Sequence, residues 1–273
     1  MTGATSGHGR AVAIELARRG ADVVLLGRSS EKCCAVQDEI QELTGRRPEV
    51  LICDMSSQSD IRRAAVHFLS WGRPLHILVN NAGLVNRRYC ETVDGYEETF
   101  AVNYLAPFHL TLLLLDRMRQ CAPARIINIS SDTHYIADID LNDVEGKSRR
   151  YSLMGAYSRS KLAIVYFTRE LSRRLAGTGI TANAVDPGPV RSNIANKPGA
   201  LAKLANAIIQ LTFPRPEIAA RTAVFCASSP EMEGRSGGYY RFMKKKEPRV
   251  STDPDFGAKL WEITARLIGV DIR

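Results

Sequence analysis

Thr2-Gly3-Ala4-Thr5-Ser6-Gly7-His8-Gly9 opens the chain, and an amphipathic run at 10–19 and an apolar run at 22–26 follow it. Gly3, Gly7 and Gly9 form G-x-x-x-G-x-G. Glycine at such positions lets the backbone turn tightly and come close to a pyrophosphate. The helix that follows then offers its free N-terminal amides to the phosphate charge. Glycines alone mark any turn. A glycine loop, a helix and an apolar strand in succession describe a nucleotide-binding unit, with Thr5, Ser6 and His8 in the loop beside the three glycines.

Outward from this loop, short apolar runs alternate with longer helical patterns, the signature of βαβ units and a parallel sheet. Strands are expected at 22–26, 50–53, 75–79, 125–129 and 180–185, with a weaker one at 237–242. Helices are expected at 10–19, 31–43, 59–71, 96–119, 156–176, 200–211 and 218–227. No repeat, low-complexity tract or linker interrupts them. The expectation is therefore an α/β fold. It has a single doubly wound Rossmann-type parallel sheet with helices on both faces, in one domain over 1–273. Residues to about 125 form the cofactor half, and those from about 126 the catalytic and substrate half. One element is absent. A phosphate loop of this kind follows a central strand, yet only Met1 precedes Thr2. Losing about five buried apolar residues would cost on the order of 10 kcal/mol. That rivals the whole stability of a domain, roughly 5–15 kcal/mol. The first central strand is thus expected to be truncated, with an upstream segment of ~8 residues or more in the natural protein.

Composition narrows the function classes. The 273 residues are 45% apolar and 24% charged, ordinary for a globular protein. Six cysteines (Cys33, Cys34, Cys53, Cys90, Cys121, Cys226) form no C-x-x-C pair and stand at no metal-ligand spacing. They fit reduced thiols in the cytoplasm, with no metal. No apolar run reaches the ~18 residues of a membrane span, and no signal peptide is visible. The net charge of +8 raises the question of nucleic acid. The arginine pairs are scattered, however, and Lys244-Lys245-Lys246 reads as an exposed loop, so no nucleic-acid partner is expected.

The strand at 22–26 ends in Gly27-Arg28, where an NAD-preferring site carries a carboxylate for the ribose 2′-hydroxyl. A guanidinium suits a 2′-phosphate instead, so NADP(H) is favoured, with NAD(H) compatible. Asp54 and Met55 follow the next strand, where a carboxylate can accept from an adenine amine. Asn81, Ala82 and Gly83 end the third. Tyr157 and Lys161 are i and i+4 on one helix face. An ammonium beside a phenol stabilises phenolate and is expected to lower the tyrosine pKa, making a general acid/base. Ser131, next to Ser130 after the strand at 125–129, can hold a substrate oxygen. Tyr240 and Lys244 repeat the Tyr-x-x-x-Lys spacing without a long helix around them, which marks that copy as chance.

Together, Thr2-Gly3-x-x-x-Gly7-x-Gly9, Asn80-Asn81-Ala82-Gly83, Asn103, Ser131, Tyr157-x-x-x-Lys161 and Pro187-Gly188 occur in the order of the short-chain dehydrogenase/reductase family, which the chain resembles over nearly its whole length. The long gap between Ser131 and Tyr157, with Ile139-Asp140-Leu141-Asn142-Asp143 inside it, and Gly237-Gly238-Tyr239-Tyr240 followed by Lys259-Leu260-Trp261-Glu262, look like the retinol dehydrogenase-like branch. The resemblance implies a nicotinamide-dependent oxidoreductase interconverting a ketone or aldehyde and an alcohol. Tyr157 would exchange the proton with the substrate oxygen. Lys161 would lower its pKa and bind the ribose. Ser131 would orient the substrate, and Asn103 would hold a relay water. Pro187, Gly188, Val190 and Ser192 would shape the nicotinamide pocket.

His8 and Asp186 depart from the family pattern: His8 is expected as a surface imidazole ahead of a pH-sensitive phosphate contact, and the Asp186 charge as an influence on cofactor affinity. Members of this branch often carry an N-terminal membrane anchor; none lies in this chain, though an upstream one is compatible with a truncated start. Family members are often homo-oligomers. The apolar residues Leu201, Leu204, Ile208, Ile209 and Leu211 fit a lipophilic substrate as well as they fit helix packing. The rival reading is a non-catalytic nucleotide sensor or scaffold on the same fold.

Overall fold

The computed structural model describes residues 1–189 and 215–271. Val190, Ser192 and the expected helix at 200–211 lie outside the described residues. Along the chain run α1 (Gly7–Arg18), β1 (Val24–Gly27), α2 (Ser30–Thr44), β2 (Glu49–Ile52), α3 (Gln58–Ser70) and β3 (Ile77–Asn80). Then come α4 (Glu98–Gln120), β4 (Ala124–Ile129), α5 (Leu153–Arg174) and β5 (Ile180–Asp186). The last elements are α6 (Pro216–Ser228), β6 (Tyr239–Arg241), β7 (Lys244–Lys246) and α7 (Phe256–Leu267).

β1 and β2 pair in parallel, and β3, β4, β5 and β6 form a parallel run closed by antiparallel β7. Lys244–Lys246 is thus an exposed edge strand rather than the loop expected from sequence. Lysines on an edge discourage pairing with another chain. The same hairpin separates Tyr240 on β6 from Lys244 on β7, so their spacing places no lysine beside a phenol on a helix.

Between β1 and β3 the sheet is joined by Met1 and Thr2 alone. Thr2 bridges Leu26 in parallel, and its amide donates to the Val79 carbonyl at 3.0 Å. The Gly3 amide donates to Leu26, and the Leu26 amide to Met1, each at 2.9 Å. Below them lies an apolar slot of about 310 Å³, walled by β1 and β3 and by Leu16, Ala65, Phe68, Leu110 and Leu114 from the flanking helices. The Met1 amine sits at its top on the Val24 carbonyl, and burial pushes its pKa down to about 5.

α1, α2 and α6 cover one face of the sheet, through residues such as Val12, Val36 and Val224; α3, α4, α5 and α7 cover the other. On the second face an aromatic stack of Tyr104, Phe108, Phe167 and Trp261 fixes α5 against α4 and α7. α7 was not anticipated from sequence as a helix. It packs through Leu260, Trp261, Thr264 and Ala265. α4 is long and apolar enough to cross a membrane, but 83% of its apolar window is buried inside the fold, as for a core helix.

Candidate active site

The reversal of strand order falls between Thr2 and β3, where ligands sit in open α/β sheets. There the C-terminal strand ends open into a crevice of about 870 Å³. Twelve of the loop residues expected from sequence line it: Gly3, Thr5, Ser6, Gly7, His8 and Gly9 from the first turn, then Arg28, Asp54 and Met55, then Asn81, Ala82 and Gly83. The backbone has the shape a pyrophosphate needs. Gly3 has φ +63°, and a Cβ there would stand 2.7 Å from the Ala82 Cα. A Cβ on Gly9 would overlap the Gly3 carbonyl oxygen and the Asn81 amide. Ser6 caps α1 with no side-chain bond, and no acidic residue occupies the first turn. The first-turn amides therefore stay available to an anion. Asn81 also builds the cradle, donating its side-chain amide to the Thr2 and Gly3 carbonyls at 3.1 Å each.

His8 corrects the sequence reading. It is not a surface imidazole: its Nδ1 lies 2.8 Å from Asn81 Oδ1 and its buried Nε2 has no partner. Burial lowers its pKa, against the Asn81 hydrogen bond that raises it. At the far end of the crevice β1 stops at Gly27, where a Cβ would crowd Thr5 and Cys33 at 2.9 and 3.0 Å. Arg28 is exposed at the crevice, and Lys32 in the first turn of α2 joins it. Sequence reasoning missed Lys32, although it stands four residues after Arg28. Asp54 accepts from the Ser56 amide and hydroxyl at 2.9 and 2.8 Å, so it shapes its own turn as well as the crevice. Arg215, Pro216 and Glu217 line the opposite wall; no spacing in the sequence pointed to them.

Gly83 connects the crevice to the chemical residues. A Cβ on it would lie 3.2 Å from Asn103 Oδ1 and 3.7 Å from Lys161 Nζ. Asn103 sits in a π turn, Ala101–Leu105, within α4. Its amide is committed on both sides: Oδ1 accepts from the Leu84 amide at 2.8 Å, and Nδ2 donates to the Leu84 carbonyl and to Ser160 Oγ at 2.9 and 3.0 Å. Lys161 is buried and donates to the Ile129 carbonyl at 3.0 Å, with its Nζ 5.4 Å from the centre of the Tyr157 ring. α5 thus brings the i and i+4 pair together as its periodicity requires.

Ser131 follows β4 in extended backbone and caps the short turn Asp132–Ile136. Its hydroxyl donates to Asp132 Oδ1 at 3.3 Å. Pro187 and Gly188 follow β5, and Gly188 takes φ +73°. They are not among the residues lining the crevice.

The electrostatics differ from the sequence expectation in one respect. Burial pushes the Tyr157 phenol up to about 12, opposed by hydrogen bonding from Ser131, with Asp186 and Asp132 adding to the rise. Burial likewise lowers Lys161 to about 8. Desolvation dominates for both groups, raising the half-buried phenol and lowering the buried amine.

The sequence of this chain over residues 1–200 matches the family of the short chain dehydrogenases. The chain belongs to that family. This dehydrogenase is 38% identical over 278 residues to the human (Homo sapiens) protein named retinol dehydrogenase 13, covering 99% of this chain and 84% of that one. It is 38% identical over 280 residues to human polyprenol dehydrogenase, covering 99% and 84%. A Pseudomonas aeruginosa structure described as an RhlG/NADP active-site complex superposes with a TM-score of 0.68 at 30% identity, over 87% of this chain and 91% of that one. The dehydrogenase is accordingly an oxidoreductase acting on CH–OH groups of small molecules, with an NAD(P) cofactor.

Proposed function

We propose that this dehydrogenase interconverts a lipophilic ketone or aldehyde and its alcohol with NADP(H), through Ser131, Tyr157 and Lys161. The observation that carries the reading is the pairing of Tyr157 with the buried Lys161 amine, whose Nζ lies beside Gly83 of the crevice wall. Hydride chemistry is what a bound nicotinamide supplies; the chain binds, orients and moves the proton. The residue 3–9 loop and the α1 amides hold the diphosphate. Ser131 Oγ turns from Asp132 to the substrate oxygen, and the Tyr157 hydroxyl donates its proton to that oxygen in reduction and recovers it in oxidation. Lys161 shares the Tyr157 face and holds the ribose. Asn103 fixes Leu84 and Ser160 around this set, and a relay water there would sit on its main chain, since its side chain is committed. Pro187 and Gly188 close the nicotinamide side.

Arg28 and Lys32 support the NADP preference, because two cations and no carboxylate meet at the end of β1. Arg28→Ala is expected to weaken NADPH binding by roughly tenfold or more, as for a charge-assisted hydrogen bond. NADH binding should stay unchanged; fluorescence titration of both cofactors checks this, and a strong NADH preference in the unaltered protein refutes it. The names of the relatives support a lipophilic alcohol such as an isoprenoid. Turnover across retinoids, steroids, alkyl aldehydes and quinones tests that class. Six free thiols support a cytoplasmic setting. Assembly into a homo-oligomer belongs to the same reading, and light scattering measures it.

A further inference from the structure

We infer that Arg241 is a positioning residue for the reaction: lodged between Asp132 and Asp186, it holds the turn that carries Ser131 against the turn that carries Pro187 and Gly188, and balances two carboxylates beside Tyr157. The inference rests on the proposed roles of Ser131, Tyr157 and Lys161. The geometry begins in the sheet. Register places Arg241 of β6 directly beside Asp186 of β5. Its Nη1 donates to Asp132 Oδ2 at 2.9 Å, and its Nε makes an ion-pair contact with Asp186 Oδ2 at 3.4 Å. Asp132 is the residue whose other oxygen accepts from Ser131. One guanidinium therefore restrains the carboxylate that competes for the serine hydroxyl.

Asp186 is 1% exposed, and a bare carboxylate that deep is costly. Three groups address it: the Gly188 amide at 2.7 Å, the Tyr239 hydroxyl at 3.2 Å and the Arg241 guanidinium at 3.4 Å. Burial still pushes its carboxyl above the usual range. The bond from Gly188 ties Asp186 to the backbone turn expected at the nicotinamide side. Arg241 thus clamps two strand ends that must stay in register for proton and hydride transfer to meet.

The surrounding titratable groups define what a loss would do. Asp132, His134 and Tyr135 face this cluster from the turn after Ser131, Tyr239 from β6, Tyr157 and Lys161 from α5, and Glu247 from beyond β7. Burial lowers the His134 pKa. The cations are Arg241 and Lys161, with Lys244 opposite Arg241 in the β6–β7 register and Arg249 on the Tyr135 carbonyl. With Arg241 gone, Asp132 and Asp186 face Tyr157 unbalanced and disfavour its phenolate. Alcohol oxidation, which needs phenolate, then requires higher pH.

The experiment is the pH profile of kcat for alcohol oxidation in the full chain, alongside NADPH affinity and thermal melting. Arg241→Met is expected to move the rising limb alkaline by at least half a pH unit and to lower kcat at neutral pH by tenfold or more. Adding Asp132→Asn to it should bring the limb part of the way back, and Arg241→Lys should keep the limb in place even if Arg241→Met folds poorly. A limb unmoved in Arg241→Met, or moved equally in Arg241→Lys, overturns the inference, as does a deeper loss in the double variant. Tyr157→Phe is measured in parallel: full turnover there refutes the underlying reading, whereas an inactive Tyr157→Phe with an unmoved Arg241→Met limb refutes the clamp alone.

Discussion

Tyr157→Phe lowers kcat by roughly 10²–10⁴-fold, the range of a lost general acid/base, and leaves cofactor affinity within about twofold. The substitution removes one hydroxyl from a half-buried ring and keeps its packing on α5, so folding is not at issue. Stopped-flow turnover with NADPH and a fluorescence titration of the same protein separate chemistry from binding. The sign of the pH dependence follows from the proton's direction. Carbonyl reduction uses the protonated phenol and falls only as pH rises through its pKa. Alcohol oxidation uses the phenolate and rises through the same pKa. Burial pushes that pKa up in the protein alone, so oxidation should gain rate as pH rises. Unchanged turnover in Tyr157→Phe would leave the crevice as a nucleotide-binding site with no proton donor of its own at this position.

The legible part of the site is the part whose chemistry is local. A glycine loop must have glycines because neighbouring backbone fills the Cβ positions of Gly3 and Gly9, and the spacing of Tyr157 and Lys161 is a helix period. Twelve residues from loops at 3–9, 28, 54–55 and 81–83 meet in one crevice because the loops follow β1, β2, β3 and the Thr2 bridge that joins β1 to β3. Groups brought in by distant pairing were not legible. Arg241 reaches Asp132 across 109 positions, and α6 delivers Arg215 and Glu217 to the crevice wall with no motif of its own. Desolvation was also invisible. The sequence puts an ammonium near a phenol, but whether that lowers a pKa depends on how much water both lose, and burial decided it for Tyr157 and for His8 alike. The C-terminal helix escaped for a similar reason, since its apolar stripe acquires meaning only where Trp261 meets Phe108 and Phe167.

Five apolar β-forming residues added before Met1 are expected to raise Tm by on the order of 10 °C, while five glycines and serines in the same place raise it little. The slot between β1 and β3 has the properties of a central strand's seat. Its walls are apolar on both sheet faces, with Leu16 on one side and Phe68, Leu110 and Leu114 on the other, which calls for a continuously hydrophobic strand. Its edges already begin a parallel ladder, through Thr2 to Val79 and Met1 to Leu26. Burying five such side chains is worth on the order of 10 kcal/mol, and ordering five residues costs about 1–2 kcal/mol each. A net gain of a few kcal/mol remains, at roughly 2–4 °C per kcal/mol for a chain of this size class. Circular dichroism melts of the two extended chains read the difference directly. Because Thr2 and Gly3 hang from the same ladder, NADPH affinity should rise with Tm in the apolar chain. Equal melting of both chains would mean that the slot closes by side-chain rearrangement and has no use for a strand.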